Sequence, residues 1–285
     1  MKNAGETRQN GETAVLCARA EELCRRACGE ITATDFLTPG EQRIVFEHMA
    51  GERRRLFFWG GYTGSERRIA FFMPEWLAPD GDAGIGLFAK EREELFLSKL
   101  EELSFSDELY NFICPMILRG SGFEELSHRD WLGALMALGL KRNVLGDIAV
   151  NGSDRNTWIF VKKSSAGFIM DELHRAGRDT VSAEAALRLP ESFSVLREYQ
   201  EIHVTVASMR LDGVVKALCG LSREDASKLV ARGDVSLNCF EEYETDREVQ
   251  SGDIISVKGF GKYIVDSTGG RTRKDRLRVS ARKYI

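Results

Sequence analysis

Two consecutive segments near the end of the chain place hydrophobic residues at helical spacing. The hydrophobic positions are Leu211, Val214, Val215 and Leu218, followed by Ala226, Leu229 and Val230. Gly220 and Gly233 follow the two segments, as expected of residues that end helices. Ser222 and Asp225 have the spacing of a capping box, which predicts the start of the second helix. The pattern therefore predicts two short helices joined by a tight turn, the first beginning at Arg210.

Alternating or apolar segments around these helices predict small β-strands. The predicted strands cover residues 202–206, 235–238 and 253–258. The outer face of the second helix carries Glu224, Lys228 and Arg232 at positions i, i+4 and i+8. We therefore expect a compact platform with one exposed basic face.

The middle of the chain alternates strand and helix signals. Strands are predicted at residues 112–119, 147–151, 157–162 and 180–187, with Gly152, Ser153 and Asp154 as a turn. Ser127 and Asp130 have capping-box spacing and start one helix, and residues 164–177 form a second. The inner face of the first helix is predicted at Leu132, Leu135, Met136 and Gly139. The order β-α-β-β-α-β predicts an RRM-like (ferredoxin-like) sandwich, although the aromatic signature by which RRMs bind RNA is missing.

The first part of the chain reads as helices followed by a β-hairpin. Residues 13–29 are rich in helix formers, and Thr38 before Pro39 is typical of a helix start. Residues 54–59 and 68–73 are apolar or aromatic runs on either side of a glycine-rich turn. Prolines and a Pro-Asp-Gly-Asp turn then indicate a boundary near residue 85.

These elements predict an α+β protein of three small domains. We expect an N-terminal α/β-hairpin domain at 1–85, a central RRM-like domain at 86–198, and a C-terminal domain at 199–285 that ends in a basic tail. No stretch approaches the roughly 20 apolar residues of a membrane-spanning helix. Met1 to Thr13 is polar and lacks the features of a signal peptide. We therefore expect a cytoplasmic location and no membrane contact.

Charge is distributed unevenly along the chain. The formal net charge is −4, yet the last 28 residues hold nine basic and two acidic side chains, a net of +7. Such a concentration suits a polyanionic partner, and it equally suits a basic tail that confers solubility. The six cysteines lack the CxxC or histidine spacing of a zinc site. We expect reduced thiols, no metal and no cofactor.

The C-terminal residues resemble the S4 (αL-type) RNA-binding domain over about 55 residues. The matching segments are Arg210-Leu211-Asp212, Leu221-Ser222-Arg223, Ala226, Leu229-Val230, Gly233-Asp234-Val235-Ser236-Leu237-Asn238 and Gly252-Asp253-Ile254-Ile255-Ser256-Val257. A basic, glycine-rich segment from Lys258 to Lys262 resembles the end of the same domain. The resemblance implies binding of structured RNA through its shape and backbone.

The residues expected to contact RNA are basic or polar positions of this motif. They are Arg210, Ser222, Arg223, Lys228, Arg232, Asn238, Lys258 and Lys262. Arg223 lies in the first turn of its helix, where free amide groups also favour a phosphate. Arg210 has a second interpretation, an ion pair with Asp212 or another neighbouring acid.

A second segment is similar to a signature of the bacterial YlmH family. It comprises Leu126-Ser127-His128-Arg129-Asp130, Leu132-Gly133-Ala134-Leu135, Leu138-Gly139-Leu140-Lys141-Arg142 and Gly146-Asp147-Ile148. This resemblance implies a non-catalytic protein that binds rRNA and tRNA on the large ribosomal subunit. It also implies a role in ribosome-associated quality control, in which the protein holds peptidyl-tRNA on a stalled, split subunit. We further expect a monomer.

The signature contains four residues that form a candidate second RNA contact. They are His128, Arg129, Lys141 and Arg142. His128, Arg129 and Asp130 are consecutive at a helix start, so they cannot converge on one substrate atom as a catalytic cluster would. Helix capping by Ser127 and Asp130, with Arg129 paired to Asp147, is the structural interpretation, and Lys141 and Arg142 would complement the helix dipole.

Two other functions remain open from the sequence. An S4-containing pseudouridine synthase would use the aspartate of an Arg-Leu-Asp triplet such as the one ending at Asp212. Only a short segment follows the S4-like region, too little for a catalytic domain. A regulator that binds free RNA is the non-enzymatic alternative.

Overall fold

The computed structural model describes residues 4–80, 86–87, 90–123, 125–152, 156–196, 199–238 and 240–284. Its contacts divide the chain into two compact units, Met1–Leu196 (unit 1) and Arg197–Ile285 (unit 2). The predicted boundary near residue 85, the turn residues Ser153 and Asp154, and Cys239 lie outside the described residues. The predicted division into three domains stays a prediction.

The predicted α+β class is confirmed. Strands pair in antiparallel sheets throughout the described residues, and separate helices pack on them. Short 3-10 segments lie at Ala50–Arg55, Glu75–Leu77, Ser106–Asn111 and Arg142–Val144. None of the helices in the described segments is long and apolar enough to cross a membrane.

Unit 1 begins with helices around a three-stranded sheet of order β1-β3-β2. Its elements are α1 (Ala4–Arg26), β1 (Thr32–Leu37), α2 (Pro39–His48), β2 (Leu56–Trp59), β3 (Arg68–Phe72) and α3 (Lys90–Glu102). Thr38 caps α2 and forms the full capping box with Glu41. Strands β2 and β3 pair as the predicted hairpin. Local turn and capping chemistry therefore predicted the start of α2 and the hairpin, whereas β1 and α3 were not predicted.

The second part of unit 1 is a five-stranded sheet of order β5-β6-β4-β8-β7. Its elements are β4 (Ile113–Gly120), α4 (His128–Ala137), β5 (Leu145–Val150), β6 (Thr157–Lys162), α5 (Lys163–Glu172), β7 (Arg175–Ala176) and β8 (Asp179–Ala185). Apart from the two-residue β7, the order along the chain is the predicted β-α-β-β-α-β. The RRM-like description of this part stays a prediction.

Helix α4 starts as predicted but buries a different face. The Ser127 hydroxyl accepts from the Asp130 amide, and the Asp130 carboxylate accepts from the Ser127 amide at 2.9 Å. The buried residues are Trp131 and Leu135, whereas Met136 is exposed. The prediction of Met136 as a core residue was wrong, because the large Trp131 side chain occupies the core and rotates the buried face by about one position.

Both faces of the five-stranded sheet are covered. On one face, β4 and β6 pack against α4 and α5 through Met116, Ile159, Leu135 and Ile169. On the other face, Trp158 and Phe160 join the aromatic core of the first part of unit 1. The Tyr62 and Phe160 rings lie 4.9 Å apart between centroids. The sheet is therefore buried on the face that an RRM would present to RNA.

Unit 2 is a six-stranded sheet of order β11-β10-β12-β13-β14-β9 with two helices. Its elements are β9 (Tyr199–Val206), α6 (Leu211–Cys219), α7 (Arg223–Ala231), β10 (Val235–Leu237), β11 (Phe240–Glu241), β12 (Ile254–Val257), β13 (Gly261–Arg271) and β14 (Leu277–Tyr284). Both helices lie where the hydrophobic spacing predicts them. Gly220 caps α6 in the left-handed conformation, which glycine adopts without steric cost.

The predicted basic tail is wrong, because these residues form two strands of the sheet. Strands β13 and β14 pair from Tyr263–Lys283 to Arg271–Leu277, and β14 pairs along β9. Val265, Val279 and Ala281 of this hairpin are buried in the core of unit 2. The last strands are therefore part of the fold, and the charges between their apolar residues lie on the outside.

Gly61 offers a test of how tightly the aromatic core of unit 1 is packed. Its φ is +106°, and a Cβ atom there would lie 2.2 Å from Phe160 Cδ1. We expect Gly61→Ala to lower the free energy of unfolding of unit 1 by about 2–4 kcal/mol, because backbone strain and overpacking add. The measurement is chemical denaturation followed by tryptophan fluorescence, since all four tryptophans belong to unit 1.

Gly64→Ala is the matched control for this substitution. Gly64 also has a positive φ, +80°, but nothing lies within 4 Å of its would-be Cβ atom. Gly64→Ala should lower the free energy of unfolding only by the backbone contribution, about 1–2 kcal/mol. Equal losses in the two variants would contradict the packing argument.

Candidate nucleic-acid interface

A nearly buried carboxylate holds two arginines at the start of the helical pair in unit 2. Asp212, 3% exposed, lies in the first turn of α6. Arg210 Nε and Nη2 lie 3.2 and 3.3 Å from its two oxygens. Arg223, from the first turn of α7, places Nε 3.6 Å from Asp212 Oδ2 and remains 69% exposed. The carboxylate thus brings two guanidinium groups from neighbouring helices to one surface.

The ionised form of Asp212 is favoured by these partners. Burial alone would raise the pKa of Asp212, but the hydrogen bond and charge of Arg210, the Gly213 amide and the charge of Arg223 outweigh it. The net result is a pKa below the ordinary aspartate value. Arg210 is correspondingly held in its charged form, since the hydrogen bond to Asp212 raises its pKa. The ion pair with Asp212, one of our two interpretations of Arg210, is therefore present, and the side chain is still 40% exposed.

A second carboxylate holds another pair of cations at the other end of α7. Asp234 Oδ2 lies 3.1 Å from Arg232 Nη2, and Oδ1 lies 3.4 Å from Lys258 Nζ. The Lys258 amide also donates to the Asp234 carbonyl at 2.9 Å. Arg232 and Lys258 remain 65% and 81% exposed. Two residues distant in sequence are therefore joined on one surface.

Helix α7 connects the two groups. It has nine residues, so it spans about 14 Å. Lys228 lies on it and pairs with Glu224 at 2.6 Å while remaining 62% exposed. The Ser222 hydroxyl accepts from the Asp225 amide at 3.1 Å and caps the helix. Arg223, Lys228 and Arg232 are thus all exposed along one short helix.

Two of the predicted contact residues have separate surroundings. Asn238 adopts a left-handed backbone, φ 51°, and its amide nitrogen donates to Asp253 at 2.7 Å. Its amide oxygen accepts from the Ile254 amide at 2.9 Å, so the side chain stabilises the turn. Lys262 Nζ lies 4.9 Å from the centroid of the Tyr284 ring. Assignment of these two residues to RNA binding stays a prediction.

The predicted second contact centres on His128 and Arg142. Partial desolvation lowers the pKa of His128 most, followed by repulsion from Arg142, and both favour the neutral imidazole. Arg142 Nη1 donates to the Leu145 and Gly146 carbonyls at 2.7 and 3.2 Å. Burial and repulsion from Arg67 lower the pKa of Arg142 to about 10. Arg129 and Lys141 are exposed.

The predicted pair between Arg129 and Asp147 is wrong. Asp147 accepts instead from the Tyr62 hydroxyl at 2.8 Å and from the Glu66 and Arg67 amides at 2.7 and 3.0 Å. These bonds link the hairpin of the first part of unit 1 to β5. Asp147 has a structural role that long-range packing decides.

Asp234 is a residue of this surface that we did not predict, and Asp212 was predicted only as an ion-pair partner of Arg210. Each follows an arginine by two positions, as Arg210-Leu211-Asp212 and Arg232-Gly233-Asp234. That repeated spacing is the sequence signal that could have indicated them. Within the residues that the structure describes, no group of three or more His, Cys, Asp or Glu side chains could hold a metal ion.

The lowered pKa of Asp212 predicts a pH-dependent contribution to stability. Because the folded pKa lies below the unfolded value of about 3.9, the contribution is complete above that pH and declines as the pH falls through the folded pKa. We expect Asp212→Asn to lower the free energy of opening of α6 by about 1–3 kcal/mol at pH 7. The measurement is hydrogen exchange of the α6 amides.

The difference between wild type and variant should shrink at pH values below the folded pKa of Asp212. A difference that does not change with pH would contradict the ionic interpretation. Glu224→Gln is the control, because it neutralises a 78% exposed carboxylate of the same helical pair and should have little effect.

Comparison with known proteins adds three similarities. A family model described as "Putative RNA-binding domain in YlmH" matches residues 107–188. The chain is 31% identical over 251 residues to "Ribosome-associated protein quality control protein P2" of Bacillus subtilis (strain 168), which covers 87% of this chain and 85% of that protein. A solved structure, "Cell division protein ylmH from Streptococcus pneumoniae", is 18% identical with a TM-score of 0.41, covering 65% of this chain and 93% of that chain.

The sequence similarity extends well beyond the region of the family model. It runs along most of the length of both proteins at an identity above 30%. The predicted family is thereby confirmed: this chain belongs to the YlmH family.

Proposed function

We propose that this protein binds structured RNA of the ribosome, without catalysis, through the helical pair α6–α7. One observation carries the proposal: exposed cations of this pair are held in position by the carboxylates of Asp212 and Asp234. Fixed cations on a short helix suit a folded phosphate backbone, which is itself rigid. The net charge of −4 does not oppose this, because phosphate contacts depend on the local surface.

The relatives support a role at the ribosome. The Bacillus subtilis relative is named as a ribosome-associated quality control protein, and the family model is named for an RNA-binding domain. We propose the same association for this chain. In its finer form the proposal names rRNA and tRNA on the large subunit, with peptidyl-tRNA held on a stalled, split subunit by a monomer in the cytoplasm.

The two domain descriptions are part of the proposal. Unit 2 has the two capped helices and small strands expected of an S4 domain. The five-stranded sheet of unit 1 has the strand order expected of an RRM-like sandwich, with both faces covered. We therefore propose that any RNA contact of this part uses the region of His128, Arg129, Lys141 and Arg142 rather than the sheet.

The geometry of Asp212 supports a non-catalytic function over the pseudouridine synthase alternative. A catalytic aspartate must reach its substrate, whereas Asp212 is 3% exposed. Its oxygens face Arg210, Arg223 and the Gly213 amide. The carboxylate of Asp212 positions the two arginines, and their guanidinium groups reach the surface.

Replacing Arg223 and Lys228 by Ala tests the helical pair directly. Both side chains are exposed, so the fold should persist while affinity for ribosomal RNA falls at least about tenfold at about 0.1 M salt. The slope of log K against log salt concentration should become less negative by about two, one unit for each lost phosphate contact. The measurement is an RNA-binding titration at several salt concentrations, and equal affinities would remove these residues from the interface.

Sucrose-gradient sedimentation of lysate tests the ribosomal part of the proposal. The wild-type protein should sediment with the large subunit. It should be released at high salt, because salt cations then replace the basic side chains of the protein at the phosphates. The Arg223→Ala/Lys228→Ala variant should shift to the top of the gradient. Wild-type protein found only in ribosome-free fractions would contradict the ribosomal role and favour a regulator of free RNA.

Asp212→Asn provides a test in which net charge and side-chain geometry predict opposite changes in RNA affinity. The variant gains one unit of positive charge, so attraction to a polyanion alone would tighten RNA binding. We expect weaker binding by several-fold, because Arg210 and Arg223 lose the group that holds them. Glu224→Gln has the same charge change in an exposed pair, and this variant should bind RNA at least as well as wild type.

The same substitution in a background without the two arginines isolates the positioning effect. In an Arg210→Gln/Arg223→Gln protein, Asp212→Asn should no longer weaken binding. Continued weakening in that background would show that Asp212 acts through stability alone. Tighter binding by the single variant would likewise remove its positioning role.

A further inference from the structure

The hairpin between β13 and β14 extends beyond β12 on one side and ends beside the last residues of β9. Strand β12 pairs with β13 only from Gly261 to Ile264. Further along, β13 pairs with β14 as far as the Arg271–Leu277 pair. The end of this hairpin, residues 269–278, is called the arm here. The arm lies past Ile264, the last residue of β13 that pairs with β12.

The arm is strongly basic and exposed. Its basic side chains are Arg271, Arg273, Lys274, Arg276 and Arg278, against one acid, Asp275. The side chains of all six are exposed. The arm contains no aromatic residue, and its one large apolar residue, Leu277, packs against the core of unit 2. Its outer surface therefore offers charge and backbone but no hydrophobic contact.

Internal contacts hold the arm in shape. Arg271 Nη1 pairs with Asp275 Oδ2 at 2.9 Å, and the Thr272 amide donates to the Arg276 carbonyl at 2.7 Å. Arg276 Nε donates to Thr205 Oγ1 at 3.0 Å, and its Nη2 donates to the Thr205 carbonyl. The bonds of Arg276 to Thr205 connect the turn to β9. The cations of the arm therefore lie on an ordered hairpin.

The arm also lies near the cations of α6. Thr205, which Arg276 contacts, precedes Arg210 by five residues, so their Cα atoms are at most about 17 Å apart. One folded RNA therefore has room to contact both. Lys262, at the opposite end of β13, is nine residues from Arg271, about 30 Å away.

We propose that the arm is a second RNA-binding element that contacts the phosphate backbone of a double-stranded RNA segment. This rests on the function proposed above and names the form of RNA that the arm recognises. Proteins that bind single strands stack bases on aromatic side chains, which the arm lacks. Double-stranded RNA is recognised through its shape and its phosphates, for which ordered cations are sufficient. Adsorption to a lipid surface is strengthened by apolar side chains that insert, and the arm offers only charge to such a surface.

The test compares full-length variants that lose the same charge at different places. Arg273→Gln/Lys274→Gln neutralises two cations of the turn, and Arg25→Gln/Arg26→Gln neutralises two exposed cations of α1. A third variant, Arg273→Lys/Lys274→Arg, keeps the charge of the turn. The probes are an RNA duplex of about 16 base pairs, one of its strands alone, and vesicles containing anionic phospholipid. Circular dichroism checks that each variant is folded.

The duplex should distinguish the variants. We expect the arm variant to lose at least about tenfold in duplex affinity at about 0.1 M salt, with a salt dependence shallower by about two. The α1 variant and the charge-preserving variant should bind the duplex within about twofold of wild type. The single strand should bind more weakly than the duplex and lose little in the arm variant.

Each other outcome overturns the proposal in a recognisable way. Equal losses in the arm and α1 variants would assign the effect to net charge. An equal loss on the single strand would remove the preference for duplex, and tighter binding to vesicles than to duplex would assign the arm to lipid. If the arm variant binds like wild type while Arg223→Ala/Lys228→Ala does not bind, the arm proposal fails alone. If wild type binds neither RNA, the proposed function fails with it.

Discussion

The candidate interface depends on one nearly buried carboxylate that two arginines share. Asp212 is 3% exposed, and an isolated carboxylate in that position would be costly. Arg210 and Arg223 compensate its charge while their own side chains remain at the surface. The acid inside and the cations outside leave a net positive group whose geometry is fixed before any ligand arrives. Asp234 repeats the arrangement more openly, with Arg232 and Lys258. The surface of α7 therefore has a defined pattern of charge in a chain whose net charge is negative.

In unit 1, both faces of the five-stranded sheet are covered by other parts of the unit. Its five-stranded sheet has the order β5-β6-β4-β8-β7 and two helices on one face. Aromatic side chains from the first part of the unit, including Tyr62, cover the other face at Phe160. Burial of both faces stabilises the sheet and excludes stacking of nucleobases on it. Asp147 reinforces the same packing by accepting three hydrogen bonds from the region of Tyr62 to Arg67. A surface for ligands in this unit must therefore lie at its helices and loops.

Particular elements show where prediction from sequence succeeded and failed. The caps at Thr38 and Ser127 were predicted because a cap needs only residues three positions apart. The inner face of α4 was misassigned because a single large residue, Trp131, decided which way the helix faces the core. Strands β13 and β14 were missed because charges and glycines interrupt the apolar residues, although Val279 and Ala281 alternate as a half-buried strand requires. The arm was consequently missed as well.

The amino-acid sequence by itself determined the class of fold, the two helices of unit 2, the family resemblance and most of the basic residues of the candidate interface. These depend on spacings of two to eight residues, within which helix periodicity, capping and strand alternation operate. Tertiary structure alone decided which charges from distant segments meet: Arg223 of α7 reaches Asp212 of α6, and Lys258 reaches Asp234 across 24 positions of sequence. It also decided that Asn238 and Arg142 use their polar groups inside the protein. The physical reason is that an ion pair or a buried hydrogen bond is selected by packing between distant segments, which no local pattern encodes.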